Sequence, residues 1–240
     1  MKLLLLLGLF SLQTLASGFD QSHSKFTEIL KSYVDDQGMV DYEGLKSNRE
    51  GLDNYLKATG AVTQSEFKKW GTSDRIAFLI NVYNAETLQL IIDNYPVTSI
   101  KKIGSFLSSP WKVKSVLLFG DTTTLDHVEH GILREEYNEP RIHFALVCAA
   151  ISCPPLRQEA FVGEKLDQQL DDQARIFMKQ TDKNRIEGNT LYLSAIFDWF
   201  ESDFTNGGKS LPEFVDPYLE GDAKGKKVKF TDYDWSLNKQ

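Results

Sequence analysis

Cysteine and histidine are scarce in this chain, whose 240 residues include two cysteines and four histidines. So few cysteines exclude a small scaffold held together by many disulfides. The standard zinc-binding spacings, such as Cys-x-x-Cys and His-Glu-x-x-His, do not occur. His127 and His130 are close enough to share one ion, but their spacing is one residue short of the zincin pattern. We therefore predict no metal site.

An excess of positive charge is also missing, since 27 Lys and Arg residues face 34 Asp and Glu residues and give a net charge of −7. Phosphate backbones bind to basic surfaces, so this composition argues against nucleic acid as a partner. The chain contains neither a glycine-rich phosphate-binding loop nor a Gly-x-Ser-x-Gly elbow. We therefore predict no cofactor. The expected ligand is a small molecule or a peptide.

Long apolar runs are confined to the start of the chain. Lys2 precedes a leucine-rich stretch of roughly ten residues, and small residues around Ala16 follow it, which is typical of a secretory signal peptide. We predict that residues 1–16 are this signal peptide and that the protein is exported, either periplasmic or secreted. No later run is long enough for a membrane span. Residues 20–240 are predicted to form one domain, and no pattern in them indicates an oligomeric state.

The composition of the rest, with 41% apolar and 12% aromatic residues overall, is sufficient for a hydrophobic core. Periodicity predicts an α+β fold with helices packed around a small, mostly antiparallel sheet; a papain- or transglutaminase-like arrangement is one form of it. The expected elements are a buried helix over 75–92, a strand or buried helix over 142–148, an amphipathic helix over 157–180, a hairpin over 185–194 and a strand over 228–235.

The predicted buried helix contains two amides, Asn81 and Asn84. Buried amides need hydrogen-bond partners. We expect at least one of them to bind the segment that carries His130 or the segment that carries Cys148.

Two neighbouring segments concentrate the chemically reactive side chains. Residues 141–155 hold both cysteines and His143, and residues 127–134 hold His130 and Arg134. At helical spacing, Asp126 and Arg134 lie on the same face as His130, one turn to each side. A thiol site needs a base, a group that orients the base and a cation that stabilises negative charge. The same residues also suit a purely structural role, with His130 in local hydrogen bonds.

The two cysteines leave a second question open. Cys148 and Cys153 are five residues apart, and in an oxidising compartment such a pair forms a disulfide about as readily as it stays reduced. The sequence alone does not decide between a disulfide, a reactive thiol and inert core thiols.

Four segments together resemble one protein family. They are Phe78-Leu-Ile-Asn-Val-Tyr-Asn-Ala85, Val128-Glu-His-Gly-Ile-Leu-Arg134, residues 141–155 and Leu193-Ser-Ala-Ile-Phe-Asp-Trp-Phe200, and their order resembles the domain of unknown function family 547. The resemblance implies a shared core made of the segments that carry these motifs. The positions that match the family pattern are Asn81, Tyr83, Asn84, Glu129, His130, Arg134 and Cys148. It also implies that Cys148, and not Cys153, is the shared thiol.

The leading hypothesis is an enzyme with Cys148 as nucleophile and His130 as its base. Glu129, Asn81 or Asn84 would orient the imidazole. This site suits a hydrolase or acyl transferase, or a transferase acting on thiols such as glutathione-like peptides.

The substrate would be held by further polar residues. Arg134 or Arg141 would bind a substrate carboxylate, because a guanidinium group matches a carboxylate in geometry. Asn81, Tyr83 and Asn84 would contribute to the binding pocket. The alternative is a non-catalytic binding module that uses the same pocket and contains a Cys148–Cys153 disulfide or inert thiols.

Overall fold

The computed structural model describes residues 18–104 and 108–240, and helices are the main regular secondary structure in this part of the chain. The predicted signal peptide lies outside the described residues. Within them, no helix is both long enough and apolar enough to cross a membrane. Ten α-helices are α1 Ser24–Tyr33, α2 Tyr42–Ser47, α3 Glu50–Gly60, α4 Gln64–Phe67, α5 Thr72–Asn94, α6 Arg134–Glu136, α7 Leu166–Met178, α8 Ile196–Trp199, α9 Glu201–Phe204 and α10 Leu211–Val215.

Five short strands form two sheets. The strands are β1 Val116–Leu118, β2 Asp121–Thr123, β3 Arg185–Glu187, β4 Thr190–Ser194 and β5 Lys227–Thr231. β1 and β2 form an antiparallel hairpin. β3 pairs with β4 antiparallel, and β5 pairs with the other edge of β4 in parallel. The predicted α+β class is therefore confirmed, with antiparallel pairings in the majority.

Both hairpins turn at residues with positive φ, and the second lies where the sequence predicts. Between β1 and β2, Phe119 and Gly120 have φ values of 55° and 84°. Between β3 and β4, Gly188 has a φ of 57°. Two-residue hairpin loops favour positive φ because the resulting backbone twist matches the twist of the strands. Glycine reaches this conformation without steric cost.

The central helix of the fold is α5, and its residues from Ile76 to Leu88 are all buried. It is buried on nearly every side because its sequence is apolar around the whole circumference. Helices α2 and α3 and the segments that precede α6 and α7 all pack against it. The predicted buried helix is confirmed, and it extends a few residues further at its amino end.

The two amides of α5 each bind the backbone of a different loop. Asn84 Nδ2 donates to the Ala145 carbonyl at 2.9 Å, and the Val147 N–H donates to Asn84 Oδ1 at 2.9 Å. Asn81 makes the same paired contact with both backbone groups of Phe161, at 2.7 and 2.9 Å. The expectation is confirmed for Asn84, whose partners immediately precede Cys148.

The strand expected over 142–148 does not form. A 3-10 helix covers Pro140–Phe144, and irregular backbone follows it. Asn84 takes up the carbonyl of Ala145 and the N–H of Val147, and these groups would otherwise be free to pair with a neighbouring strand. A side chain thus replaces the strand partner, and the apolar run is buried without a sheet.

The helix expected over 157–180 begins at Leu166 and ends at Met178, after a 3-10 turn over Gly163–Lys165. The preceding residues are irregular, and several of their backbone groups bind side chains, including the paired contact of Phe161 with Asn81. The predicted buried stripe of α7 is confirmed at Leu166, Leu170, Ala174 and Phe177.

Two hydrophobic clusters form the core. The larger surrounds α5, and the smaller joins Phe144, α7, β4 and the helices α8 to α10. Tyr233, which follows β5, packs against both clusters. The candidate site lies next to this junction.

We expect Asn84→Ala to lower the free energy of unfolding by about 1–3 kcal/mol, because it leaves two buried backbone groups without partners. Urea denaturation of the variant and the native protein measures this. Asn54→Ala is the matched control, since Asn54 is an exposed residue of α3 and its loss should change the stability by no more than about 0.5 kcal/mol. Equal stabilities for the two variants would contradict the role of the Asn84 contact.

Candidate functional site

A cavity of about 230 Å³ opens beside the junction of the two clusters. Tyr83, Glu129, His130 and Cys148 line it, as does Cys153. Its other lining residues are Ser109, Trp111, Asp126, His143, Leu146, Ile196, Trp199, Phe200, Tyr233 and Trp235. The structure thus brings the predicted nucleophile, base and orienting carboxylate to one cavity.

The segment that carries Glu129 and His130 is a π-helix over His127–Leu133, entered from Leu125 and continued by α6. The N–H of His127 donates to Thr124 Oγ1 at 3.0 Å, so Thr124 caps the start of the helix. A π-helix has a wider turn than an α-helix and often occurs at functional sites. Here Glu129 and His130 both line the cavity, although adjacent residues of an α-helix would not share a face.

Glu129 is the most strongly perturbed acid of the cavity. Only 8% of its surface is exposed, and this burial raises its pKa to about 7, although a hydrogen bond with Tyr83 and the charge of Arg134 act in the opposite direction. Tyr83 is itself held by Trp111, whose Nε1 donates to the Tyr83 hydroxyl at 3.2 Å. A carboxyl group with a pKa near neutrality is suited to take up and release protons.

His130 has its ring orientation set by Arg134. A guanidinium nitrogen of Arg134 lies 2.8 Å from His130 Nδ1. Arginine can only donate, so Nδ1 accepts and the ring proton is on Nε2. Burial, together with the charge of Arg134, lowers the pKa of His130. In this arrangement His130 is neutral and offers an N–H, so it would act as a base only after losing its contact with Arg134.

Asp203 in α9 connects Arg134 to His143, which lines the cavity. Its carboxylate accepts from Arg134 Nε at 2.6 Å and from a second guanidinium nitrogen at 2.7 Å. It also lies 2.7 Å from His143 Nε2, and the His143 ring stacks on Phe200 with centroids 3.9 Å apart. Although burial acts to raise it, the pKa of Asp203 is held well below its usual range by the hydrogen bonds from Arg134 and His143.

Sequence reasoning missed Asp203. Asp203 shares its helical segment with Asp198 and Glu201, so nothing in the sequence distinguished it, and its partners lie 60 and 69 residues away along the chain.

Both arginines proposed for substrate binding are already paired. Arg134 binds Asp203 through two nitrogens. Arg141 binds both carboxylate oxygens of Glu139, at 2.8 and 2.7 Å, and also contacts Asp167 at 2.8 Å. Neither is among the described residues that line the cavity. Asn81 and Asn84 also lie outside it, so of the polar residues predicted to bind substrate, Tyr83 alone reaches the cavity.

Of the arrangements that the sequence left open for the cysteines, the structure contains the disulfide between Cys148 and Cys153. The two sulfurs have different surroundings, since Cys148 is partly exposed and Cys153 is 3% exposed. The backbone N–H of Cys148 donates to Cys153 Sγ at 2.9 Å, and the Tyr233 hydroxyl lies 3.2 Å from Cys148 Sγ and 3.3 Å from Cys153 Sγ. Cys148 is therefore the more exposed of the two residues, and Cys153 Sγ has one hydrogen-bond donor, the Cys148 N–H, in addition to the hydroxyl that both sulfurs share.

An aromatic wall made of Trp111, Trp199, Tyr233 and Trp235 borders the disulfide. Ring centroids are 4.5 Å apart for Tyr233 and Trp235, 4.7 Å for Trp199 and Tyr233, and 5.7 Å for Trp111 and Trp235. Sequence reasoning placed the last two residues of this wall in a strand over 228–235, but β5 ends at Thr231. Beyond it, Asp234 and Ser236 accept backbone hydrogen bonds from the disulfide loop. In the sequence, Asp234 and Ser236 alternate with Tyr233 and Trp235, and this alternation of polar and aromatic residues is the pattern that predicted an extended segment.

No cluster of three or more His, Cys, Asp or Glu side chains within residues 18–104 and 108–240 is arranged to hold a metal ion. His127 and His130 are accordingly not part of such a group in this portion of the chain.

Comparison with known proteins confirms the family resemblance for part of the chain. Residues 67–178 match the family described as protein of unknown function, DUF547. This range includes Tyr83, Glu129, His130 and both cysteines, whereas Asp203 and most of the aromatic wall lie beyond it. No curated protein and no solved structure matches the chain. The papain- or transglutaminase-like arrangement therefore stays a prediction.

The pKa of Glu129 makes the stability of the fold depend on pH. Its pKa is about 7 in the folded protein and 4.5 ordinarily, so between these values the folded state binds more protons than the unfolded one. The stability from this residue is complete below 4.5 and is lost as the pH rises through about 7. The shift corresponds to a loss of about 3 kcal/mol.

We expect Glu129→Gln to remove this part of the pH dependence in urea unfolding curves recorded on both sides of that range. Glu86→Gln is the matched comparison, because burial also raises the pKa of Glu86 to about 7. Each single variant should change the slope by about one proton relative to the native protein, and the double variant by about two. The buried ring of His23, whose pKa is lowered to about 4, contributes a slope of opposite sign that is the same in every variant. If the stability of Glu129→Gln depends on pH as steeply as that of the native protein, the Glu129 carboxyl is ionised throughout this pH range.

Proposed function

We propose that the cavity carries out thiol–disulfide exchange, in which a small thiol reduces the Cys148–Cys153 pair and a second, disulfide substrate re-oxidises it. The observation that supports this most directly is the difference between the two sulfurs. Both cysteines line the cavity, but Cys148 is partly exposed, whereas Cys153 is buried beside an N–H and a hydroxyl. Among the enzymes that the sequence suggests, a transferase acting on thiols is closest to this chemistry.

In the first step, a substrate thiolate attacks Cys148 Sγ. A bond forms between the substrate sulfur and Cys148, the bond between Cys148 and Cys153 breaks, and its electron pair leaves with Cys153 Sγ. The departing thiolate is stabilised where it forms, because the Cys148 N–H at 2.9 Å and the Tyr233 hydroxyl at 3.3 Å are already in place. Donors that need no rearrangement as charge develops are effective in catalysis.

In the second step, another substrate thiolate attacks the substrate sulfur of the mixed disulfide. Cys148 leaves as a thiolate, and the product is the substrate disulfide. The two protons lost by the substrate thiols equal the two gained by the cysteines, and two electrons pass to the protein. Exchange with a different disulfide in the reverse sense restores the Cys148–Cys153 bond.

Glu129 is the candidate base that converts the incoming thiol to a thiolate. It lines the same cavity as Cys148, and its pKa of about 7 gives both of its protonation states at neutral pH. His130 is less suited to this role, because its Nδ1 accepts from Arg134 and its Nε2 already carries the proton. For the same reason, a hydrolase or acyl transferase with Cys148 as nucleophile and His130 as base is the weaker candidate.

A non-catalytic binding module is the second candidate. The observation that favours it is that Arg134, Arg141, Asn81 and Asn84 are all engaged in contacts within the protein. In this account the four residues stabilise the fold, and the disulfide links the two ends of the 148–153 loop beside a ligand pocket lined by aromatic rings.

Export is part of the proposal. Residues 1–16 have the pattern of a secretory signal peptide. In the periplasm or outside the cell, oxidising conditions keep an unused pair in its disulfide form. Attack by a thiol would then begin each catalytic cycle.

The two single-cysteine variants test the difference between the sulfurs. We expect Cys153→Ser to form a mixed disulfide with bis(2-hydroxyethyl) disulfide readily, because its remaining thiol is partly exposed. Cys148→Ser should react slower by about tenfold or more, since exchange depends on access to the sulfur. Intact-protein mass spectrometry follows both, and the double Ser variant is the control. If neither thiol reacts before the protein unfolds, the disulfide is structural and the binding module is the better account.

The role of Glu129 has a separate kinetic test. The base must be ionised, so the rate at which 2-mercaptoethanol reduces the native protein should increase through the Glu129 pKa of about 7. Glu129→Gln should lower the rate above this pH by about a hundredfold, a typical contribution of a general base. Glu86→Gln controls for the lost carboxyl, because Glu86 has a similarly raised pKa but contacts the Leu117 N–H away from the cavity. Equal rates in the two variants would remove Glu129 from the mechanism.

A further inference from the structure

We infer that the cavity binds a positively charged group beside the disulfide, and that the preferred substrates are therefore aminothiols and their disulfides. The choice of a thiol rests on the proposed function. Binding of a cation rests on the charges and aromatic rings of the cavity alone. The two parts can fail separately.

The charged residues of the cavity are of one sign. Asp126 and Glu129 line it, and none of the lining residues within the described part of the chain is Lys or Arg. The nearest guanidinium, that of Arg134, is bound through two nitrogens to Asp203. His130 lines the cavity as a neutral ring, because its Nδ1 accepts from Arg134. A cavity lined by carboxylates, with no Lys or Arg among its described lining residues, attracts positive ligands and disfavours anions.

The aromatic wall supplies the second element of a cation site. A cation over the face of an indole or phenol ring is attracted by the negative charge of the ring face. Trp199 is 46% exposed, so it retains a large uncovered aromatic surface. The wall already holds one cation of the protein, since Lys101 Nζ lies 4.5 Å from the centroid of the Trp235 ring.

The wall is also next to the reactive sulfur. The Tyr233 hydroxyl lies 3.2 Å from Cys148 Sγ, and the Tyr233 ring contacts the rings of Trp199 and Trp235 at centroid distances of 4.7 and 4.5 Å. A ligand whose sulfur meets Cys148 therefore places the atoms next to that sulfur along these rings. A short chain between sulfur and ammonium, as in cysteamine, suits this arrangement.

This preference argues against glutathione-like peptides. Such a peptide carries more carboxylates than ammonium groups. Its excess negative charge would meet Asp126 and Glu129, while Arg134 and Arg141 are paired elsewhere in the fold. The cavity offers the carboxylates no matching cation among its described residues.

Binding is tested without any thiol chemistry in the Cys148→Ser/Cys153→Ser double variant. Choline is titrated against tryptophan fluorescence, with 3,3-dimethyl-1-butanol as the uncharged molecule of the same shape. We expect choline to bind at least about tenfold more tightly, because the attraction to the rings depends on the charge. In the same background, Asp126→Asn should weaken choline binding, whereas Glu136→Gln, an exposed charge change further along the chain, should not.

Exchange is then compared for cystamine, bis(2-hydroxyethyl) disulfide and dithiodiglycolate, which are cationic, neutral and anionic. The protein is first reduced, and each rate is divided by the rate of the same disulfide with free 2-mercaptoethanol. The corrected rates should fall in the order cationic, neutral, anionic, and the differences should shrink as salt screens the charges.

The outcomes separate the two proposals. Selective choline binding without exchange overturns the proposed function and leaves the cation site in place. Exchange at equal corrected rates, together with equal binding of choline and its neutral counterpart, overturns the cation site and leaves the exchange activity in place. Absence of both exchange and selective binding overturns both.

Discussion

The paired hydrogen bonds from α5 to two loops are the constraint on which the rest of the structure depends. Asn84 fixes the backbone at Ala145 and Val147, immediately before Cys148, and Asn81 fixes Phe161 ahead of α7. An amide side chain can match both backbone groups at once, so it holds an irregular segment as a strand partner would. These contacts are buried, where an unpaired polar group is costly, and they place the disulfide beside the π-helix that follows β2.

A network of charges then determines what the cavity offers to a ligand. Asp203 binds Arg134 and His143, and Arg134 in turn contacts His130. The Arg134 guanidinium is thereby paired within the protein and is not available to a ligand. What remains available is a carboxyl group with a pKa of about 7 at Glu129, an accessible sulfur at Cys148 and a wall of aromatic rings. The exchange proposal and the inferred preference for cations both follow from this distribution.

Regions with regular periodicity could be predicted from sequence because local patterns specify them. The buried helix α5, the stripe of α7 and both hairpins follow from apolar spacing and turn residues. Two of the elements that were predicted wrongly share a different cause. Over 142–148 and at the start of 157–180, side chains from distant segments take over the backbone hydrogen bonds, and no local pattern reports such partners. The sequence indicated correctly which residues are apolar, but it did not indicate the backbone conformation in which they are buried.

For the site, the sequence by itself determined the reactive residue types and the two segments that carry them, since Glu129, His130 and Cys148 lie in dense, distinctive stretches and line one cavity. Only the tertiary structure decided how they are used. It places Asp203, Trp199, Tyr233 and Trp235, which are distant in sequence, next to these segments. It also pairs Arg134 and Arg141 with carboxylates of the protein, so neither guanidinium is available to a substrate. Hydrogen bonds and charges act over a few ångströms in space regardless of separation in sequence, so their partners are set by the packing of the whole chain.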